Sequence, residues 1–189
     1  MYAAPSLTRV PCLSARLTLR PYQPTDVELF FCLLDANRPR LQPAFPARLA
    51  AVQTRADAAQ VLYQFDQDWE TGHLYVFGIW HTTTGRYLGD ISLRPSWRSP
   101  VTGEIGYYLS AEAEGHGYAR EALAAMVEFG FTTLRAAHLL IRCRDDNPRS
   151  CAVAEAVGFH PVPPQPYRWA LGVRNATPIR YYVRKQTGQ

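Results

Sequence analysis

A short turn with two glycines, Glu114-Gly115-His116-Gly117-Tyr118-Ala119, stands where a predicted strand ends and a predicted helix begins. Glycine adopts positive φ without strain and lets the backbone approach a ligand closely. The first N–H groups of a helix have no partner inside the helix and lie at its positive end. The turn therefore predicts a binding site for an anion such as a phosphate. An ordinary turn from strand to helix is the alternative.

A second polar pair, Asn147 and Ser150, opens another predicted helix. Asparagine before a proline is typical of a helix N-cap, so capping is the plain explanation of Asn147. Ser150 shares its helix face with the apolar residues three, four and seven positions further on. That spacing predicts that its hydroxyl points inward beside a cleft, and the alternative is a hydrogen bond to its own helix.

A carboxylate, Glu104, lies within the predicted strand from Gly103 to Ser110. Alternation places Glu104, Gly106 and Tyr108 on one face of the sheet. A charge in a central strand is costly unless it is paired or used, and the neighbouring glycines leave room for a ligand. Glu104 is therefore a candidate site residue, and the alternative is a glutamate at a strand end that reaches solvent.

The elements that position these residues follow from periodicity and end signals. The predicted strands are Leu17–Arg20, Leu74–Trp80, Tyr87–Leu93, Gly103–Ser110, His138–Arg144, Arg168–Val173 and Ile179–Arg184. The predicted helices run from Thr25 to about Leu34, from Thr54 to Gly72, from Gly117 to Leu134 and from Pro148 to Val157, with loops at Asn37–Pro46 and Pro95–Pro100.

The order β-α-α-β-β-β-α-β-α-β-β predicts an α/β domain with one mixed sheet of about seven strands and helices on both faces. We expect a single domain over residues 1–189, with its core at about 17–184. This length suits one domain.

Composition narrows the function classes. The net charge of +4 is spread along the chain, whereas a dedicated nucleic-acid surface is normally more basic. The four cysteines, Cys12, Cys32, Cys143 and Cys151, lack metal-site spacing. No apolar run has the length of a membrane span. We expect a cytoplasmic protein with reduced thiols, no metal, no membrane partner and no direct nucleic-acid binding.

Together, these motifs resemble the GNAT superfamily of N-acetyltransferases. The family signature Arg/Gln-x-x-Gly-x-Gly/Ala is matched by Glu114 to Ala119, and its Asn-x-x-Ser pattern before Gly-Phe is matched by Asn147 to Phe159. The opening Leu17-Thr18-Leu19-Arg20-Pro21 is similar to the RimJ/RimL-type subgroup, which contains ribosomal-protein alanine N-acetyltransferases. Two positions depart from the pattern: Glu114 replaces Arg or Gln, and Pro178-Ile179-Arg180 lacks the acidic residue often found before the last strand.

The resemblance implies direct transfer of an acetyl group from acetyl-CoA to a primary amine, on a protein N-terminus or a small molecule, without a metal. It implies that two parallel strands splay to admit the pantetheine arm. Glu104 is then the candidate base and Ser150 the donor to the leaving sulfur. The implied cofactor contacts are the backbone of Tyr108, Leu109 and Ser110, the turn residues Gly115, His116, Gly117, Tyr118 and Ala119, and Asn147.

Three alternatives stay open at this point. In the first, the chain is a non-catalytic module that binds acyl-CoA as a sensor or docks a partner. In the second, it forms a homodimer whose interface consists of exposed aromatic residues. In the third, it is an enzyme that passes the acyl group through Cys151.

The resemblance also implies that the last hairpin lines the acceptor cleft, with Tyr167, Trp169 and Arg174 as candidates.

Overall fold

The computed structural model describes residues 7–163 and 177–186 of the 189-residue chain. Within those ranges, eight strands form one sheet in the order β1-β2-β3-β4-β5-β6-β8-β7. The strands are Cys12–Leu13 (β1), Leu17–Arg20 (β2), Tyr75–His81 (β3), Tyr87–Ser96 (β4), Thr102–Leu109 (β5), His138–Arg144 (β6), His160–Val162 (β7) and Ile179–Lys185 (β8). Neighbouring strands are antiparallel except β5 and β6, which are parallel.

Six α-helices cover the described part of the sheet. They are Val27–Ala36 (α1), Arg38–Leu41 (α2), Pro46–Ala51 (α3), Arg55–Glu70 (α4), Tyr118–Glu128 (α5) and Pro148–Ala156 (α6). A π-helical segment, Phe129–Thr133, follows α5 directly. No helix in the described ranges combines the length and apolar composition that a bilayer crossing requires.

Helices pack on both faces of the sheet, as the sequence predicted. On one face, apolar residues of α5 and α6 such as Leu123 and Ala154 join buried strand residues such as Phe77 and Ile141. On the other face, α1, α3 and most of α4 pack over Val76 and neighbouring side chains. Each large apolar side chain buried in this way contributes about 1.5–3 kcal/mol. The two cores hold the central strands between them.

The predicted α/β order with a mixed sheet is confirmed, and the differences have local causes. The predicted loop Asn37–Pro46 contains α2 and leads directly into α3. Prolines that suggested a loop stand in the first turn of each of these helices, where a missing N–H costs little.

Strand ends also differ from the prediction. Strand β4 extends through Pro95 to Ser96, beyond Leu93, where its pairing with β3 ends. Proline is tolerated on such an edge. The short strands β1 and β7 were not predicted, because two or three residues carry too little periodicity to read. The predicted strand Arg168–Val173 lies outside the described residues.

The N-terminus of α4 is fixed by a capping box. The Thr54 hydroxyl accepts from the Asp57 N–H at 3.2 Å, and an Asp57 carboxylate oxygen accepts from the Thr54 N–H at 2.8 Å. Thr54→Ala is therefore expected to lower the free energy of unfolding by about 1 kcal/mol. Urea unfolding followed by circular dichroism measures this difference. Thr83→Ala, in the exposed turn between β3 and β4, is the control; an equal loss in both variants would contradict the capping role.

Candidate active site

A cleft of about 690 Å³ opens beyond the carboxyl end of β5. Its walls come from β5, the glycine turn, the first residues of α5 and α6, and the segment from α2 to Phe45. The residues that line it are Arg40, Leu41, Ala44, Phe45, Tyr107, Tyr108, Leu109, Ala111, Ala113, Glu114, Gly115, Gly117, Tyr118, Ala119, Arg120, Asn147, Arg149, Ser150, Ala152 and Val153.

The cleft lies where the two parallel strands diverge. Strand β5 pairs with β6 only from Thr102 to Ile105, although β5 continues to Leu109 beside β4, and β6 to Arg144 beside β8. The Ser110 N–H donates to the Leu88 carbonyl at 2.8 Å, on the β4 side. Because backbone groups alternate in direction along a strand, those of Tyr107 and Leu109 point into the gap. An extended ligand can pair with them as an added strand does.

The glycine turn gives the cleft its anion-binding end. Gly115 and Gly117 have φ of 81° and 79°, values that glycine adopts without strain. Gly117 is the N-cap of α5, and because glycine has no side chain, the first N–H groups of the helix receive no side-chain cap from it. The first residues of the helix, including Tyr118 and Ala119, line the cleft. Their N–H groups and the helix dipole favour a bound phosphate.

Two hydroxyl groups meet on the wall opposite this turn. The Ser150 Oγ lies 3.3 Å from the Tyr107 hydroxyl and 3.3 Å from the Cys143 Sγ. Burial raises the pKa of Tyr107 to about 12, so its phenol keeps its proton at neutral pH and can donate a hydrogen bond. Burial likewise raises the pKa of Cys143 to about 11, which keeps that thiol neutral.

The place of Tyr107 beside Ser150 was not predicted, although the pattern contained a signal for it. Glu104 and Gly106 lie on one face of β5. Side chains alternate along a strand, so Tyr107 lies on the opposite face of the sheet, which α6 covers. Asn147, as predicted from its position before proline, caps α6, and its Oδ1 accepts from the Ser150 N–H at 3.1 Å. Both Asn147 and Ser150 line the cleft.

Glu104 lies on the other face of the sheet and does not line the cleft. Its carboxylate accepts from the Arg142 Nε at 2.6 Å, and its side chain is 28% exposed. It stands just before the point where β5 and β6 separate. The next residue on its face is Gly106, where a methyl group would meet only the Ser92 Oγ, at 3.8 Å. The sheet face next to Glu104 is therefore uncrowded at Gly106.

Ser110 and His116, two further residues predicted to contact the cofactor, also do not line the cleft. Ser110 uses its N–H within the sheet. The His116 ring packs 5.6 Å from the Tyr118 ring, and its carbonyl accepts from the Arg16 Nη1 at 3.0 Å. Cys151 is buried and does not line the cleft. The acceptor-side candidates Tyr167, Trp169 and Arg174 lie outside the described residues.

A buried polar network supports the wall formed by Tyr108. The Asp90 Oδ2 accepts from the Arg48 Nη1 and from the Tyr108 hydroxyl, both at 2.8 Å. The Tyr108 ring packs edge-on against Phe45, with centroids 5.2 Å apart. Burial raises the pKa of Asp90, and the cation of Arg48 opposes that rise. The network joins α3, β4 and β5, and no local sequence pattern predicts it.

No group of three or more His, Cys, Asp or Glu side chains in the described ranges is arranged to hold a metal ion. The site combines a glycine turn suited to an anion, a strand edge that no neighbouring strand pairs with, and two hydroxyl donors. This combination suits the binding of an extended, phosphate-bearing molecule and the stabilisation of charge that develops beside Ser150.

Comparison with known proteins gives concordant results. Residues 16–160 match the family model described as acetyltransferase (GNAT) domain. The probable N-acetyltransferase YjcK of Bacillus subtilis (strain 168) is 27% identical over 143 residues, covering 75% of this chain and 79% of that protein.

Solved structures share the fold. RimL, a ribosomal L7/L12 alpha-N-protein acetyltransferase in complex with coenzyme A, has a TM-score of 0.80 and 20% identity over 93% of this chain and 98% of its own. The microcin C7 self immunity acetyltransferase MccE, in complex with acetyl-CoA and AMP, has a TM-score of 0.78 and 21% identity over 92% and 94% of the two chains.

Proposed function

This chain belongs to the GNAT family of acetyltransferases, and from that premise we propose that it moves the acetyl group of acetyl-CoA directly to a primary amine in the cleft between β5 and α6. The observation that carries the proposal is the divergence of β5 from β6 after Ile105, directly beside the glycine turn. The divergence supplies an unpaired strand edge for an extended arm, and the turn supplies an anion site at one end of it.

The donor is proposed to lie along this edge. Its pyrophosphate rests on the N–H groups at Gly115 to Ala119. Its pantetheine amides pair with the gap-facing backbone of Tyr107 and with the Leu109 N–H, since the Leu109 carbonyl accepts from Arg40. The side chains of Tyr108 and Asn147 flank the same channel. Of the contacts that the family resemblance implied, three have the least support. The backbone of Tyr108 and Ser110 faces β4 rather than the gap, and His116 does not line the cleft.

The acyl end of the donor then lies beside Ser150 and Tyr107. An amine nitrogen attacks the thioester carbonyl, the C–S bond breaks, and the sulfur leaves as a thiolate that takes up a proton. Ser150 donates a hydrogen bond to that sulfur. The protonated Tyr107 phenol lies 3.3 Å from the Ser150 Oγ and donates a hydrogen bond to it. The thiolate takes up the proton that the attacking nitrogen releases. Glu104, on the face of the sheet opposite Ser150, accepts the proton of the acceptor ammonium through a water molecule.

The donor to the sulfur can be tested by removing one oxygen. Ser150→Ala is expected to lower kcat about 10- to 100-fold, because a hydrogen bond to a charged group contributes about 1.5–3 kcal/mol. Acetyl-CoA affinity should change little, since the sulfur carries charge only in the transition state. Release of CoA thiol at saturating substrate measures kcat, and calorimetry measures donor affinity.

The alternative is that the Ser150 hydroxyl only hydrogen-bonds to its own helix, and Thr132→Ala is the matched control for it. Thr132 is exposed outside the cleft, and its hydroxyl bonds back to the Glu128 carbonyl at 2.7 Å. If Ser150→Ala and Thr132→Ala both lose a similar amount of stability and both keep kcat, the proposed role of Ser150 is wrong. Tyr107→Phe should share the kcat defect of Ser150→Ala, and neither change removes the helix cap, which the Asn147 Oδ1 makes with the Ser150 backbone N–H.

The reaction itself is tested with an acceptor panel. Purified protein, acetyl-CoA and one amine at a time, drawn from peptides with free N-termini, amino acids and polyamines, should release CoA thiol with at least one class. The acetylated product is then identified by mass spectrometry, and N-terminally blocked peptides are the control. Protein N-termini are the first class to try, given the RimL-like fold. Tight acetyl-CoA binding without thiol release on any amine would favour the non-catalytic binding module instead.

A further inference from the structure

Glu114, the acidic residue at the head of the glycine turn, is held by two arginines from different helices. Arg40 of α2 donates through its Nη1 to the Glu114 Oε1. Arg149 of α6 donates through its Nη1 to the Glu114 Oε2 at 3.0 Å. One carboxylate therefore aligns two guanidinium groups that come from different helices and line the cleft.

Arg40 is fixed by more than its pair with Glu114. Its Nη2 also donates to the Leu109 carbonyl and, at 3.2 Å, to the Asn37 Oδ1. Asn37 is itself buried and anchored, since its Nδ2 donates to the Leu33 carbonyl at 2.8 Å. The guanidinium of Arg40 is thus held in one orientation before any ligand arrives.

Arg149 differs from Arg40 in having room to move. Its side chain is 84% exposed, against 34% for Arg40. Exposed ion pairs contribute little to folding stability, so stability alone does not account for this arrangement. Three arginines but only one acidic residue line the cleft, and this excess of positive charge lies next to Gly115. Guanidinium groups bind phosphate oxygens in a planar, two-pronged geometry.

We propose that Glu114 is a positioning residue that holds Arg40 and Arg149 as a two-sided clamp on the pyrophosphate of the donor. The inference rests on the proposed function and adds side-chain contacts to the backbone cradle of the turn. It also accounts for an acidic residue beside a phosphate site, because the two arginines outweigh its charge.

The clamp is tested with Arg40→Ala/Arg149→Ala, compared with Arg9→Ala/Arg55→Ala. The control removes two arginines that also pair with carboxylates but do not line the cleft. Calorimetry with CoA, dephospho-CoA and pantetheine separates the phosphate groups. The clamp variant should bind CoA and dephospho-CoA at least about tenfold more weakly, the loss expected from one or two charge-assisted hydrogen bonds. Its affinity for pantetheine, which has no pyrophosphate, should match that of the wild type.

Glu114→Gln, made in two backgrounds, tests positioning. In the wild type it should weaken CoA binding, because the arginines lose their alignment. In Arg40→Ala/Arg149→Ala it should strengthen CoA binding, because only a repulsive charge is then removed. The same change in both backgrounds would overturn the positioning role. A loss confined to CoA, with dephospho-CoA unaffected, would overturn the assignment to the pyrophosphate.

These results are distinguishable from failure of the proposed function. If the wild type binds neither CoA nor acetyl-CoA, the proposed function fails and the clamp with it. If the wild type binds CoA and the arginine variant binds it equally well, only the clamp is wrong. Circular dichroism of each variant shows that a change in affinity is not a change in folding, since neither arginine belongs to the buried cores.

Discussion

Glu104→Gln is expected to lower kcat at neutral pH by about 100- to 10,000-fold, the range that a general base contributes. Acetyl-CoA affinity should persist, because Glu104 lies outside the cleft that is proposed to hold the donor. The amide keeps the shape of the side chain and a contact with Arg142, so the change removes the proton acceptor and little else. Glu104 stands where β5 and β6 separate, with the empty position at Gly106 beside it.

The dependence of kcat on pH is the measurement that tests this role. Glu104→Gln should change the pH profile of kcat, because the acceptor ammonium must then lose its proton to the solvent. Glu112→Gln, at an exposed carboxylate that pairs with Arg86, is the matched control and should keep the wild-type profile. A Glu104→Gln enzyme with an unchanged profile would remove Glu104 as the base.

Asp90→Leu has the largest expected effect on stability. It leaves the cation of Arg48 without its partner in a buried site, where the side chains of Asp90 and Arg48 are 3% and 17% exposed. Breaking a buried pair in this way costs about 3–5 kcal/mol. The Tyr108 hydroxyl also loses the acceptor that fixes it in the cleft wall. Urea unfolding, followed by circular dichroism, gives the free energy of unfolding of each variant.

A double-mutant cycle identifies the source of that loss. Arg48→Met combined with Asp90→Leu should recover much of the stability, because no unpaired charge is then buried. Glu28→Ala breaks an exposed pair with Arg55 and should leave the free energy of unfolding nearly unchanged. If Asp90→Leu costs no more than Glu28→Ala, the network does not anchor the wall of the cleft.

Local patterns were sufficient to predict most of the fold. Strand β6 was predicted with its observed bounds, because alternation and its flanking turns depend on neighbours in the sequence. The first turns of α5 and α6 were predicted from glycine and from asparagine before proline, signals whose physical basis lies within one turn of helix. The short helices α2 and α3 were not predicted, because a proline in the first turn of a helix resembles a proline in a loop.

The side-chain contacts within the site join residues that are far apart in the sequence, and no local pattern predicts them. Arg40 and Glu114 are 74 residues apart, Tyr107 and Ser150 are 43 apart, and Arg48 and Asp90 are 42 apart. Which side chain meets which depends on how helices cross the sheet, and that is a property of the packed chain. Glu114 shows the consequence: from the sequence it is an unfavourable charge beside a phosphate site, and in the structure it aligns two arginines.

A crystal structure of the protein with acetyl-CoA tests the proposed site most directly. We expect the pyrophosphate on the N–H groups of Gly115 to Ala119, the pantetheine arm in the gap between β5 and β6, and the thioester sulfur within hydrogen-bond distance of the Ser150 hydroxyl. Acetyl-CoA bound at another surface, or in this cleft with its sulfur turned away from both Ser150 and Tyr107, would contradict it.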